Sequence, residues 1–280
     1  MAGAPSTSTL DHIVFLSPPG TLEETKRKFV GYGFDVIPGG RHSGGLSENL
    51  LIVIKDGVYL ELIAFLHPIE HYPEGSEERS RRESNPWAHK LPGWIDYAFL
   101  GTSPTISKII NSRAEEEGSG VRYLAEVPGG RETTTGRVLK WLITGPDPTF
   151  AVDGAAKNGS LPFFCGDITP REWRVRAVPT ERVDHPNGVA EVAHLVVLIP
   201  PKDLDEFERQ LTSVVGFAPE AGPGDTRTWS LSTTTGSHSP RLILRTPQDG
   251  EEEIYVRKRR GCIYKVAFQL ARAEGGFLSI

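Results

Sequence analysis

At 280 residues, with 38% hydrophobic and 24% charged residues, the chain can bury a sizeable core in one large unit or two ordinary ones, and its composition is that of an ordinary folded protein. No apolar run approaches the roughly 18 residues that span a bilayer, and Val58–Leu66 is broken by Glu61. A net charge of −5 argues against broad nucleic-acid binding, and two cysteines, Cys165 and Cys262, are too few for a disulfide framework or a thiolate zinc site, so each is expected as a buried free thiol.

Met1–Thr9 lacks the charged start and apolar middle of a secretory signal; it reads as a short flexible lead on a cytoplasmic protein. Leu10–Pro19 is a strand ended by prolines, and Leu22, Phe29 and Val30 then stack on one face of a helix that stops before Gly33-Phe34. After the glycine-rich stretch Gly39–Gly45, strands over Asn49–Ile54 and Val58–Leu66 are joined by Asp56-Gly57, a strong hairpin signal. His67–Pro92 is a polar connector with one short helix from Asn85-Pro86. Within it, Pro68 and Pro73 deny His67 and His71 a shared helix, so they read as a surface loop. A strand over Ile95–Phe99, a helix over Thr105–Glu117 and strands over Val138–Thr144 and Leu161–Ile168 follow. Pro179–Gly188 reads as a link to a last segment, in which Val192–Pro201 is a strand and Leu204, Phe207 and Leu211 mark a helix. Glu251–Glu253 followed by Arg257–Arg260 is expected as a solvated hairpin.

The chain repeats itself. Leu10-Asp-His-Ile-Val-Phe-Leu-Ser-Pro-Pro19 recurs as Val192-Ala-His-Leu-Val-Val-Leu-Ile-Pro-Pro201, which matches His12 to His194, and Pro38-Gly-Gly-Arg41 recurs as Pro128-Gly-Gly-Arg131. The expected fold is therefore α+β, built from βαβββ modules over Leu10–Leu66 and Trp94–Ile168, which form one domain over residues 10–175. A third, partial module occupies residues 189–280.

Leu10-Asp-His-Ile-Val14, Gly39-Gly-Arg-His-Ser-Gly44, Asn49 and Tyr59-Leu-Glu-Leu-Ile63 resemble the glyoxalase-like domain of the vicinal-oxygen-chelate superfamily. So do Gly130-Arg131, Gly136 before Leu139-Lys-Trp141, and Leu161-Pro-Phe-Phe164, and the resemblance covers roughly Leu10–Ile168. It implies two curved mixed sheets facing each other around a cavity that often holds a divalent metal, with ligands from the first and last strand of each module. Carried over, these are His12 and Glu61 in the first module, with Tyr97 and Cys165-Gly166-Asp167 at the matching places in the second. Tyr97 is a poor neutral ligand and no second carboxylate aligns, so the cofactor is either one divalent metal ion or none, with none preferred.

The residues carry their own argument. Glu61 shares an apolar face with Tyr59, Ile63 and Phe65, where a carboxylate must be paired, metal-bound or shifted upward in pKa; its bland role is a salt bridge with an arginine. By alternation His12 shares a face with Leu10, Val14 and Leu16, and would be a satisfied core histidine if it had no role. His42 follows glycines that let backbone approach a ligand, Arg41 and Arg131 stand at repeat-related places from which to clamp a carboxylate, and Tyr97, Trp141 and Phe163 would line the cavity if they face inward.

The expected activity is that of a lyase or isomerase moving a proton next to a carbonyl of a small oxygenated molecule. Glu61 would be base or metal ligand, His12 and His42 would polarise oxygen, and Arg41, Arg131, Tyr97, Trp141, Phe163 and Cys165 would contact substrate. A protein that sequesters a ligand without chemistry is the alternative. A metal-dependent dioxygenase is weaker, since the third module has His194 but no carboxylate in Arg241–Arg245. The expected partner is a small-molecule substrate, not nucleic acid or membrane, and pairing with a second copy is left open.

Overall fold

The structure is a computed structural model that describes residues 5–102, 104–149, 160–175, 183–259, 261–271 and 276–280. The first module is β1 (Leu10–Ser17), α1 (Leu22–Gly31), β2 (Ile37–His42), β3 (Ser47–Val53) and β4 (Tyr59–Phe65). The connector carries α2 (Glu77–Glu83), and the second module is β5 (Gly93–Leu100), α3 (Ile106–Glu117), β6 (Val127–Glu132), β7 (Val138–Thr144) and β8 (Phe163–Asp167), followed by α4 (Arg171–Arg174).

These eight strands close into a barrel of order β1-β4-β3-β2-β6-β7-β8-β5. Each module pairs its first and last strands in parallel, and the modules join like strand to like strand where β1 meets β5 and β2 meets β6, both antiparallel. The sheets expected to face each other are thus one continuous surface with no free edge. Every residue of β4 is buried, because one face lines the barrel and the other packs on the outer core, as its unbroken apolar sequence requires.

The third module, β9 (Val189–Leu198), α5 (Leu204–Val215), β10 (Glu220–Ala221), β11 (Thr226–Ser230) and β12 (Arg241–Arg245), repeats the first: β12 runs parallel beside β9 as β4 does beside β1. After α6 (Gly250–Arg259), β13 (Cys262–Leu270) pairs antiparallel with β9, as β5 does with β1, and β14 (Phe277–Ser279) adds an edge. This six-stranded sheet, order β10-β11-β12-β9-β13-β14, shares one apolar core with the outer face of the barrel. Phe34 meets Phe268 edge to face at 5.6 Å, and Trp94 Nε1 donates to the Ile280 carbonyl at 3.0 Å.

Three local expectations are corrected. The short helix of the connector is α2, capped by Ser76, and it ends before Asn85-Pro86, its expected start; Asn85–His89 form turns. Beyond the undescribed residues 1–4, the lead is packed: Thr7 is buried with its hydroxyl on the Val215 carbonyl, and Thr9 bridges to Ser232 between barrel and sheet. The acidic-then-basic run is the helix α6 rather than a hairpin; Arg260, its last residue, lies outside the described residues. Asp249 caps the Glu252 N–H, three glutamates fill the first turn and Arg257, Lys258 and Arg259 the last, so charge follows the helix dipole. Residues 179–182 of the expected link also lie outside the described residues. Both cysteines are buried and free, and no described helix is long and apolar enough to cross a membrane.

Candidate active site

Two β-bulges decide what the barrel interior holds. In β1 the pairing with β5 slips between Leu10 and His12, so Asp11 is an extra residue. Leu10 therefore packs in the outer core, whereas Val14 and Leu16 line the interior and His12 turns inward against Tyr59. In β2 the pairing with β3 slips at Gly39. A one-residue slip exchanges faces, so His42 points inward and Arg41 outward, where it is exposed. β6 runs against β7 without a slip, so Arg131 points inward opposite His42. The two arginines of the Pro-Gly-Gly-Arg repeat consequently lie on opposite faces and do not form a clamp.

The glycines of that repeat serve packing. A Cβ on Gly39 would collide with the Asn49 amide, and one on Gly129 with the Trp141 indole. The amide so accommodated is the one that holds Glu61: Asn49 Nδ2 donates to Glu61 Oε1 at 2.5 Å, and Asn49 Oδ1 accepts from Arg131 at 3.0 Å. Arg131 is fixed in turn by donating to the Arg174 carbonyl at 3.1 Å.

Both imidazoles converge on this carboxylate. His42 Nε2 lies 3.3 Å from Glu61 Oε1 and His12 Nε2 lies 3.6 Å from Oε2. Burial alone would raise the Glu61 pKa. The His42 hydrogen bond and charge, with His12 and Asn49, outweigh it and lower the carboxyl from 4.5 to about 2. The upward shift expected from its apolar neighbours does not occur, nor does a salt bridge to arginine.

His12 is locked from its other side, since its Nδ1 meets Asp11 Oδ2 at 2.6 Å. A carboxylate only accepts, so this nitrogen carries a proton. Burial would raise the Asp11 pKa, but Arg174 and Arg171 hold it well below the usual carboxylate range. Arg174 donates to Asp11 at 2.7 Å, to Tyr59 at 2.8 Å and to Asp167 at 2.5 Å. Arg171 reaches Asp11 as well. This network closes one end of the barrel under His12.

His42 is the member of the cluster that solvent reaches, with its side chain 21% exposed against 7% for Glu61 and 3% for His12. Its Nδ1 lies 3.2 Å from Ser47 Oγ, and the Trp141 ring stands edge to face with it at 6.3 Å. Phe163 is edge to face with His12 at 5.2 Å. Tyr97 does not line the interior: it is buried in the outer core with its hydroxyl on the Ser160 carbonyl at 3.0 Å. Cys165 is buried beside Ala98, Leu139 and Trp141, and burial pushes its thiol up to about 12, so it is neither a nucleophile nor an anionic ligand at neutral pH.

The donors present do not compose the metal centre that the resemblance implies. The residues facing His12 and Glu61 from the second module are Ala98, Phe163 and the protonated Cys165, and the nearest carboxylate on β8, Asp167, is held by Arg174. Glu61 is already bonded by Asn49 and His42, and no group of three or more His, Cys, Asp or Glu among the described residues is arranged to hold an ion. Asp11, Ser47, Arg171 and Arg174 are the site residues that sequence patterning passes over. By alternation Asp11 falls on the apolar face of Ile13 and Phe15, and only the bulge turns it toward the network.

Residues 10–233 match the family profile described as Glyoxalase-like domain. No curated protein sequence matches the chain significantly. Among solved structures, a hypothetical protein from Staphylococcus aureus superposes with a TM-score of 0.58 at 12% identity, over 86% of each chain. A mutant 4-hydroxymandelate synthase from Streptomyces coelicolor does so at 0.50 and 9% identity, over 95% of this chain and 71% of that one. A methylmalonyl-CoA epimerase from Mycobacterium tuberculosis has 16% identity and a TM-score of 0.36, over 60% of this chain and 94% of that one. At these identities the first two likenesses are ones of fold, and that fold agrees with the profile match and with the doubled βαβββ barrel. The chain belongs to the glyoxalase-like domain family.

Proposed function

We propose that the chain is an isomerase or lyase that moves a proton next to a carbonyl of a small oxygenated substrate, with His42 as the proton-transfer group. The observation that carries this is the series Glu61, His42, Ser47, with contacts of 3.3 and 3.2 Å on opposite ring nitrogens. An ionised Glu61 fixes the Nε2–H tautomer, which leaves Nδ1 as the basic nitrogen with the Ser47 hydroxyl resting on it. A carboxylate lowered to about 2 is a weak base at neutral pH, so Glu61 orients the imidazole instead of taking the proton itself. His12, pinned between Asp11 and Glu61, keeps the carboxylate in place.

The test is washout of hydrogen from a panel of α-substituted carbonyl compounds in deuterated solvent. Wild type should exchange its substrate's α-hydrogen and His42→Gln should not, whereas Ser47→Ala should retain exchange because the hydroxyl only occupies the position that substrate takes. If Ser47→Ala is as inactive as His42→Gln, the series acts as a nucleophilic triad and the proton-transfer reading falls. If the protein binds one of these compounds but never exchanges it, the sequestering role takes its place.

A further inference from the structure

Of the three arginines buried among the described residues, two are matched: Arg174 by Asp11 and Asp167, and Arg131 by Asn49 and a carbonyl. Arg82, on α2, is different. It is 2% exposed, yet neither its Nε nor its Nη1 has a hydrogen-bond partner. Burial lowers its pKa, and Tyr72 and Glu70 oppose this through space without bonding either nitrogen. An ionised group so placed is costly unless something else meets it.

Its position says what that is for. The guanidinium carbon lies 3.3 Å from the centroid of the Phe65 ring. A stacked guanidinium has one face occupied and keeps its N–H edges free in its own plane. Phe65 is at the end of β4 on the same interior face as Glu61 and Ile63, directly opposite Ser47, and Ser47 is the residue whose hydroxyl rests on His42. Trp87, Leu46 and Phe163 pack around the same cluster. The connector thus delivers an unmatched cation into the apolar end of the barrel that also holds His42.

We propose that Arg82 is the carboxylate-binding residue of this site, and that the ligand is a small organic acid. Its carboxylate pairs with the in-plane edge of the guanidinium, and its carbon chain lies along Phe65 and Phe163 toward His42. A planar carboxylate suits this edge better than a tetrahedral phosphate, because two parallel N–H···O bonds form without disturbing the ring stack. The proposal rests on the proton-transfer reading only for what happens at the far end of the ligand.

Propionate, propionamide and inorganic phosphate are titrated into wild type, Arg82→Met and Arg82→Lys, with tryptophan fluorescence and thermal midpoint as readouts. Propionate should bind wild type and propionamide should not. Arg82→Met should weaken propionate by about tenfold or more, with Arg82→Lys between the two. Ligand-free Arg82→Met should be at least as stable as wild type, because it strands no partner. The proposal is overturned if propionate fails to bind or binds no better than its amide, if phosphate binds in its place, or if Arg82→Met loses stability while propionate binding is unchanged. No turnover is needed, so a wild type that binds propionate but never exchanges an α-hydrogen would remove the role of His42 and leave that of Arg82.

Discussion

Glu61 shows how much one side chain depends on its neighbours. On sequence it is an acid in an apolar strand, which by desolvation alone would carry a raised pKa; in the fold, Asn49, His42 and His12 reverse that to about 2. Because the folded value lies below the ordinary 4.5, its contribution to stability is complete above about pH 4.5 and is lost as pH falls toward about 2. At about 1.4 kcal/mol per pH unit, the window is worth on the order of 3 kcal/mol. Urea midpoints at pH 7, 4 and 3 should therefore show Glu61→Gln least stable relative to wild type at pH 7, with the gap closing in acid. The same variant should lose roughly 10²–10⁴-fold in activity, because the amide no longer holds the His42 tautomer. Equal acid sensitivity in the two proteins would mean that Glu61 is not ionised in the fold. The identities of Glu61, His12 and His42 were legible from strand patterning and the family resemblance. The roles of Asn49 and Ser47 were not, because no local rule says which polar side chain will sit beside which across a sheet.

Among the elements, those set by local chemistry matched expectation closely. Val138–Thr144 is β7 to the residue, and the Asp56-Gly57 turn joins β3 to β4 as its composition demands. Bulges were invisible, since a single slipped pair leaves the sequence pattern intact while exchanging faces, which is why Arg41 and Arg131 part company. The hairpin turn also has a role beyond its own module. Asp56 accepts the Val58 N–H at 3.0 Å and the Val192 N–H of β9 at 2.7 Å, tying the barrel to the second sheet. Burial pushes its carboxyl up from 3.8 to about 6, against the pull of those two N–H groups and with the help of nearby Glu191. A folded value above the unfolded one means the fold holds a proton that the unfolded chain has released, so stability should fall as pH rises from about 4 to about 6 and then level off. The size is roughly 3 kcal/mol. Comparing denaturant midpoints of wild type and Asp56→Asn across that range checks this: the variant should lose the slope, and a wild type already flat between pH 4 and 6 would refute it.

At the scale of the molecule, the internal repeats announce three modules but not that their outer faces share one core. The barrel gives Leu10, Phe29, Phe34, Trp94 and Phe99 to that core, and the third module gives Leu195, Leu211, Trp229, Leu244 and Phe268. Hydrogen bonds cross the same joint, from Leu10 N–H to the Ser232 carbonyl at 2.8 Å and from Arg113 to the Ser213 carbonyl at 2.7 Å. Two bodies with separate cores would melt independently, whereas a shared core couples them into one transition. Phe268→Ala is the discriminating substitution, since Phe268 is fully buried, belongs to β13 and touches Phe34 of the first module. Removing a buried phenyl ring costs about 3–5 kcal/mol by lost transfer energy and cavity formation. The expectation is a single unfolding transition in wild type, with calorimetric and van't Hoff enthalpies equal. In the variant, the interior of the barrel and the second sheet should destabilise together by that amount, read by hydrogen exchange on β4 and β13. Loss of protection in β13 alone, with β4 unchanged, would show that the third module folds on a core of its own and that the joint is a docking surface between independent units.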